Sequence, residues 1–170
     1  MQINKIKVFL ILLFISINFS SFANNKVGEI TGKKIPRFVS IKNSEANLRI
    51  GPNRDYPIKL KYIRENIPLM VIDEFEFYGD QWRKVLDHDD NEGWMHRSLL
   101  SNNRYGIVKD KTFIEVFLAP NKRLIGKIGY GNIIKINKCE DSWCKIKIDN
   151  YTGWIKNTDF WGVFDNENFD

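Results

Sequence analysis

Two stretches of this chain repeat each other at a spacing of about 60 residues, and that spacing limits the possible folds more than any other feature. Trp82-Arg83-Lys84-Val85 recurs as Trp143-Cys144-Lys145-Ile146, and Gly93-Trp94-Met95 recurs as Gly153-Trp154-Ile155. Upstream, Asn47-Leu48-Arg49-Ile50-Gly51-Pro52 aligns with Glu115-Val116-Phe117-Leu118-Ala119-Pro120. After each Gly-Trp the chain reaches an apolar residue at the same offset, Leu100 and Phe160. A unit of this size is long enough for a small all-β barrel and too short for a seven-stranded sandwich.

The residues inside each unit agree. No window holds a helical period; short β-branched and aromatic runs alternate with turn clusters. Strands are expected over 38–41, 46–50, 60–63, 69–77, 81–86 and 93–96, then over 107–108, 113–118, 124–128, 133–139, 143–148 and 151–155. Gly79-Asp80 and Asp89-Asp90-Asn91 read as hairpin turns, and Ser101-Asn102-Asn103 breaks the chain between the units. Five short strands cannot hide their edges in an open sheet, so each unit is expected to close. A domain of this size is marginal alone, and the short linker favours packing of the two against each other.

The N-terminus has the order of a secretory signal. Lys5 and Lys7 precede the apolar run Val8 to Ile15, and Ser21-Phe22-Ala23 offers small residues for cleavage after Ala23. The run is short and broken by Ser16 and Asn18, so a permanent transmembrane span is not expected. The net charge of +5 falls to +3 once Lys5 and Lys7 are removed, well short of a nucleic-acid-binding excess. The only cysteines, Cys139 and Cys144, lie in the exported part and flank the polar turn Glu140-Asp141-Ser142. In an oxidising compartment a hairpin disulfide is expected; two buried thiols are the alternative.

The string Asn47-Leu48-Arg49-x-Gly51-Pro52, then Asn53-Arg54-Asp55-Tyr56-Pro57, Trp82-Arg83-Lys84-Val85 and Gly93-Trp94-Met95, resembles the bacterial SH3-like (SH3b) domain family. The order signal segment, two such repeats, then an end soon after Trp161-Gly162-Val163 is similar to small periplasmic proteins of that kind. The resemblance implies an all-β chain of two tandem small SH3-like β-barrels after a cleaved signal peptide. The expected division is 1–23 signal, 24–36 flexible leader, 37–101 first domain, 104–163 second domain and 164–170 tail. It also implies a binding role, since bacterial members often target cell walls on behalf of hydrolases, although fold alone does not assign function. The expected partner is peptidoglycan or an envelope peptide or protein, in the periplasm, with no cofactor. An adaptor docking on another envelope protein without a small ligand is the alternative.

Catalysis is not expected. A covalent hydrolase needs a nucleophile, a base and an orienting group. The two histidines, His88 in an acidic turn and His96 after a core-like strand, read as exposed. Asp87 to Gly93 looks like a calcium loop, but Glu92 and Ser98 stand where that loop needs glycine and glutamate, so no metal is expected. Trp82 and Trp94 recur in the second repeat and read as architecture. Tyr56 and Tyr62 do not recur and flank the Arg49-Gly51-Pro52 loop. The candidate ligand-binding residues are therefore Asn47, Arg49, Tyr56 and Tyr62, although for Asn47 and Arg49 pinning of the loop by hydrogen bonds to backbone is the slightly favoured role. Glu115 and Phe117 replace the Asn and Arg in the second repeat, so binding is expected on the first.

Overall fold

The computed structural model describes residues 26–109, 111–165 and 167–169. The expected signal segment and its cleavage position lie outside the described residues. Among the described residues no helix is long and apolar enough to cross a membrane. The described residues are all-β, as expected. The strands are β1 (Lys26–Val27), β2 (Lys34–Ile35), β3 (Arg37–Ile41), β4 (Ala46–Arg49), β5 (Ile58–Tyr62), β6 (Pro68–Phe77), β7 (Asp80–Leu86), β8 (Glu92–His96) and β9 (Leu100–Ser101). They continue with β10 (Tyr105–Ile107), β11 (Phe113–Phe117), β12 (Leu124–Gly129), β13 (Ile133–Glu140), β14 (Trp143–Ile148) and β15 (Tyr151–Lys156). Single 3₁₀ turns, Arg97–Leu99 and Asn157–Asp159, follow β8 and β15.

The repeat read from the tryptophans appears in the topology. The first sheet runs β5-β4-β8-β7-β6-β3-β9, and the second runs β12-β11-β15-β14-β13-β10. A bridge from Ile107 to Trp161 stands in the place of β9. Trp82 faces His96 as Trp143 faces Lys156, and Trp94 faces Arg49 as Trp154 faces Phe117. The sheets are not the closed barrels that were expected. Their hydrogen-bonded order ends at β5 and β9 in one, and at β12 and β10 in the other. Each bends instead at a bulge, between Val71 and Asp73 in β6 and between Ile136 and Lys138 in β13. A bulge adds one residue on one strand and sharpens the local twist.

The hairpins after these bulges turn alike. Tyr78 and Gly79 have φ of 49° and 80°, and Asp141 and Ser142 have φ of 46° and 67°. Two-residue turns with both central residues at positive φ match the twist of the strands they join. Gly93 has a packing reason of its own. A Cβ there would lie 2.7 Å from Leu48 Cγ and 2.8 Å from the Arg49 carbonyl oxygen, so β4 can cross β8 only over a glycine.

Alternation along the strands builds two cores. Ile41, Leu48, Leu69, Val71, Val85 and Met95 fill the first, and Val108, Ile114, Ile134, Ile136, Ile146 and Ile155 the second. Each fully buried aliphatic side chain contributes about 1.5–3 kcal/mol. Cys139 and Cys144 face each other across β13 and β14 and form the expected disulfide within the second core. At the same station of the first sheet, Glu74 faces Arg83.

The segment expected as a flexible leader and the segment expected as a tail both pack onto the sheets. Residues 26–35 form a hairpin that buries Ile35 in the first core. The Glu74 carboxylate holds the hairpin's turn, accepting from the Ile30 and Thr31 N–H groups (3.2 and 3.0 Å) and the Thr31 hydroxyl (2.7 Å). Near the C-terminus, Phe169 bridges to Cys139 through two backbone hydrogen bonds, and Glu167 accepts from both terminal nitrogens of Arg104 at 2.7 and 2.9 Å. Phe38 joins the units, edge-on to Trp161 at 4.9 Å and against Phe164 at 4.7 Å. Arg64 donates to the Gly131 carbonyl (3.1 Å) and Lys109 to the His88 carbonyl (2.8 Å) across the same junction.

Candidate functional site

The bulge in β6 reverses the inside–outside phase of the strand. Before it Leu69 and Val71 point into the core; after it Glu74 points in, with only 1% of its side chain exposed, while Phe75 and Phe77 are exposed. Two aromatic rings thus stand on the outer face near the hairpin tip. Tyr56, 46% exposed, reaches them from the loop between β4 and β5. Its ring lies over Gly51, where a Cβ would come within 2.6 Å of the ring carbons. Pro52, Asn53, Tyr56, Phe75, Phe77 and Asp80 surround a recess of about 230 Å³ floored by Trp82. A neighbouring recess of about 250 Å³ on the other side of Trp82 is lined by Asn47, Arg49, Arg54, His96 and Ser98. Together they form a two-part groove with aromatic walls at one end and cationic and amide groups at the other.

Hydrogen bonds fix its floor. Trp82 is buried, and its indole N–H donates to Asp80 Oδ2 at 3.0 Å. His96 Nε2 lies 2.8 Å from Asp80 Oδ1, and its Nδ1 accepts from the Ser98 N–H at 3.3 Å, with the Ser98 hydroxyl at 2.6 Å. With Nδ1 accepting, the ring proton sits on Nε2 and is donated to Asp80. The Trp82 hydrogen bond, and then His96, hold the Asp80 carboxyl below the usual carboxylate range. Asp80, His96 and Ser98 have the residue types of a hydrolytic triad. Here the serine's own N–H shares the imidazole nitrogen, so the group caps the 3₁₀ turn Arg97–Leu99 and ties it to the hairpin tip. His96 is therefore a part of the groove wall and not the exposed residue expected from its position in the sequence.

The four expected ligand residues separate. Asn47 and Arg49 share one recess, and Tyr56 lines the other. Arg49 also donates to the Tyr56 carbonyl at 2.7 Å, so it pins the loop that carries Tyr56. Tyr62 does not join them. It is buried in the first core, and its hydroxyl donates to Asp87 Oδ2 at 2.8 Å. Burial, then the Asp87 carboxylate, pushes its phenol far above the ordinary range. Residues 58–62 pair with β4 so that Tyr62 faces Ala46, and that register turns the ring inward. Asp87 accepts from Tyr62, the Asp89 N–H and the Asn91 N–H and side chain, which gives this calcium-like loop an internal organiser. Among the described residues no group of acidic, histidine or cysteine side chains is placed to hold a metal.

Sequence reasoning missed Phe75, Phe77, Asp80 and His96. The Phe-x-Phe spacing was a visible signal for one exposed face, but which face depended on the bulge. The second sheet lacks the groove's chemistry: Phe117, at the station of Arg49, packs edge-on against Trp143 at 5.3 Å.

A small all-β unit of fixed strand order, duplicated in tandem and carrying an aromatic groove on its first copy, defines a paired SH3-like protein. The chain belongs to the bacterial SH3 domain family, whose model matches residues 42–102 and 120–162. No curated protein matches the chain. Among solved structures it is similar to NlpC2 from Trichomonas vaginalis, at 10% identity over 75% of this chain and 48% of that one, with a TM-score of 0.33. It is also similar to the endolysin LysPBC5 CBD, at 16% identity over 72% of this chain and 90% of that one, with a TM-score of 0.30. The chain thus spans about half the length of NlpC2.

Proposed function

We propose that this protein is a non-catalytic binding module of the bacterial cell envelope that holds peptidoglycan or an envelope peptide in the groove around Trp82. Bacterial SH3 domains are typically binding modules, and the chain's membership supports that class. The observation that carries the reading is the exposed pair Tyr56 and Phe77 facing one recess, beside Arg49 and Asn47 in the next. Flat apolar rings against polar hydrogen-bonding groups suit a sugar face or a short peptide. Residues 37–101 and 104–163 act in this reading as two SH3-like domains, the first binding and the second supporting it. Export through the N-terminal segment supplies the periplasmic location.

The test is retention of the mature protein on purified sacculi. Tyr56→Ala with Phe77→Ala removes exposed rings and leaves the core intact, so retention falls while the circular-dichroism melt stays in place. Unchanged retention of a folded double variant refutes the groove. If wild type is not retained at all and instead co-purifies with one envelope protein, the adaptor reading replaces it.

A further inference from the structure

A second pocket, sharing no residue with the groove, lies between the N-terminal hairpin and the first sheet. It measures about 210 Å³ and is lined by Thr31, Lys33, Arg37, Arg83, Arg97 and Asn102, with Val39, Val71 and Leu100 behind them. Four cations meet here. Glu74 takes one bond from Arg37 Nη2 at 2.7 Å and sits 3.5 Å from Arg83 Nε. One carboxylate does not balance this set. Arg37 Nε and Nη1 are buried and have no hydrogen-bond partner among the described residues. A buried guanidinium N–H without an acceptor is costly, more so than a neutral donor. Burial draws the Arg83 guanidinium below its ordinary value, Glu74 opposes that, and the neighbouring Arg37 and Arg97 lower it further.

The second sheet shows what fills this place when the chain supplies it. Phe38 faces Met70 as Tyr105 faces Lys135, which sets Arg37 in register with Arg104. Counting on from the 3₁₀ turns sets Asn102 in register with Gly162. Arg104 donates to the Gly162 carbonyl at 3.0 Å and grips both oxygens of Glu167. A carboxylate therefore occupies the second site, in the forked geometry a guanidinium favours. In the first site the corresponding arginine takes a single bond to a carboxylate, Glu74, and among the described residues leaves both Nε and Nη1 unpaired, where Arg104 leaves only Nε. Arg83 and Arg97 add cations where the second sheet has Cys144 and Asn157.

We propose that the pocket at Arg37, Arg83, Arg97 and Lys33 binds the terminal carboxylate of a peptide, in the place that Glu167 takes on the second sheet. The ligand is a chain end: its carboxylate lies on Arg37, and its last side chain lies on Val39 and Leu100. Two sources carry that chemistry, a wall stem peptide ending in D-residues and a protein C-terminus ending in L-residues.

The experiment titrates the mature protein by NMR at low salt with acetyl-D-Ala-D-Ala, acetyl-L-Ala-L-Ala, the amide of each, and inorganic phosphate. The acids shift the backbone amides of Thr31, Lys33 and Asn102, and the amides leave them unmoved. Arg97→Gln and Lys33→Gln, both exposed and outside the core, each weaken the acids about fivefold. Preference for the D or the L acid names the source. Equal response of acid and amide, no shift at these residues, or phosphate binding tighter than both acids overturns the proposal. Because the groove shares none of these residues, Tyr56→Ala leaves the titration unchanged even if sacculus binding is lost.

Discussion

Tyr62 and Asp87 illustrate how a single hydroxyl changes the role of a residue. Tyr62→Phe removes one of several donors to the Asp87 carboxylate, whose remaining partners are Asp89 and Asn91. The expected cost is about 1–2 kcal/mol, read from urea unfolding, with sacculus retention unchanged. A loss of retention in the folded variant would return Tyr62 to the binding site. Asp87, Glu74 and Glu167 also set the acid limit of the fold. Burial pushes each carboxyl up, but hydrogen bonds from Asn91, from Thr31 and Arg37, and from Arg104 outweigh it, so all three lie below the usual range. Their contribution is complete above the unfolded carboxylate values of about 4 and is lost as pH falls through the lower folded ones. The urea midpoint is accordingly expected to hold from pH 7 to 5 and to drop below about pH 4. A midpoint that rises on acidification would contradict these pairings.

Among the elements, the strands were readable because period-two alternation and turn residues act locally. β4, β7, β8 and their counterparts β11, β14 and β15 follow from the three aligned motifs that recur between the units. The N-terminal hairpin was not readable, because Thr31 depends on Glu74, a partner 43 residues away. The same holds for the tail, where Glu167 meets Arg104 across 63 residues. The groove was half visible: Arg49 and Tyr56 stood out by failing to recur, while Phe75 and Phe77 waited on the bulge that turns them outward. Two element-scale tests follow. Reducing Cys139–Cys144 is expected to remove about 2 kcal/mol, since the closed loop is short, and to lower the thermal midpoint by several degrees. An unchanged midpoint would mean that the hairpin holds without its crosslink. Gly93→Ala places a methyl against Leu48 and the Arg49 carbonyl, and is expected to cost about 1–3 kcal/mol by the same measurement.

For the molecule as a whole, Phe38 is the main apolar contact between the two units, beside the Arg64 and Lys109 hydrogen bonds, because its ring packs on Trp161 and Phe164 and lies under the Arg104 guanidinium at 5.6 Å. Phe38→Ala is expected to cost about 3–5 kcal/mol and to split calorimetric unfolding into two transitions. A single sharp transition would show that other junction contacts suffice. The units also differ at one matched station, where Glu74 faces Arg83 in the first sheet and Cys139 faces Cys144 in the second. A reductant opens the second link and cannot touch the first. Acid discharges Glu74 and leaves the covalent bond intact. At this station the duplicated protein therefore has two locks with different keys, and an insult that opens one hairpin leaves its twin fastened.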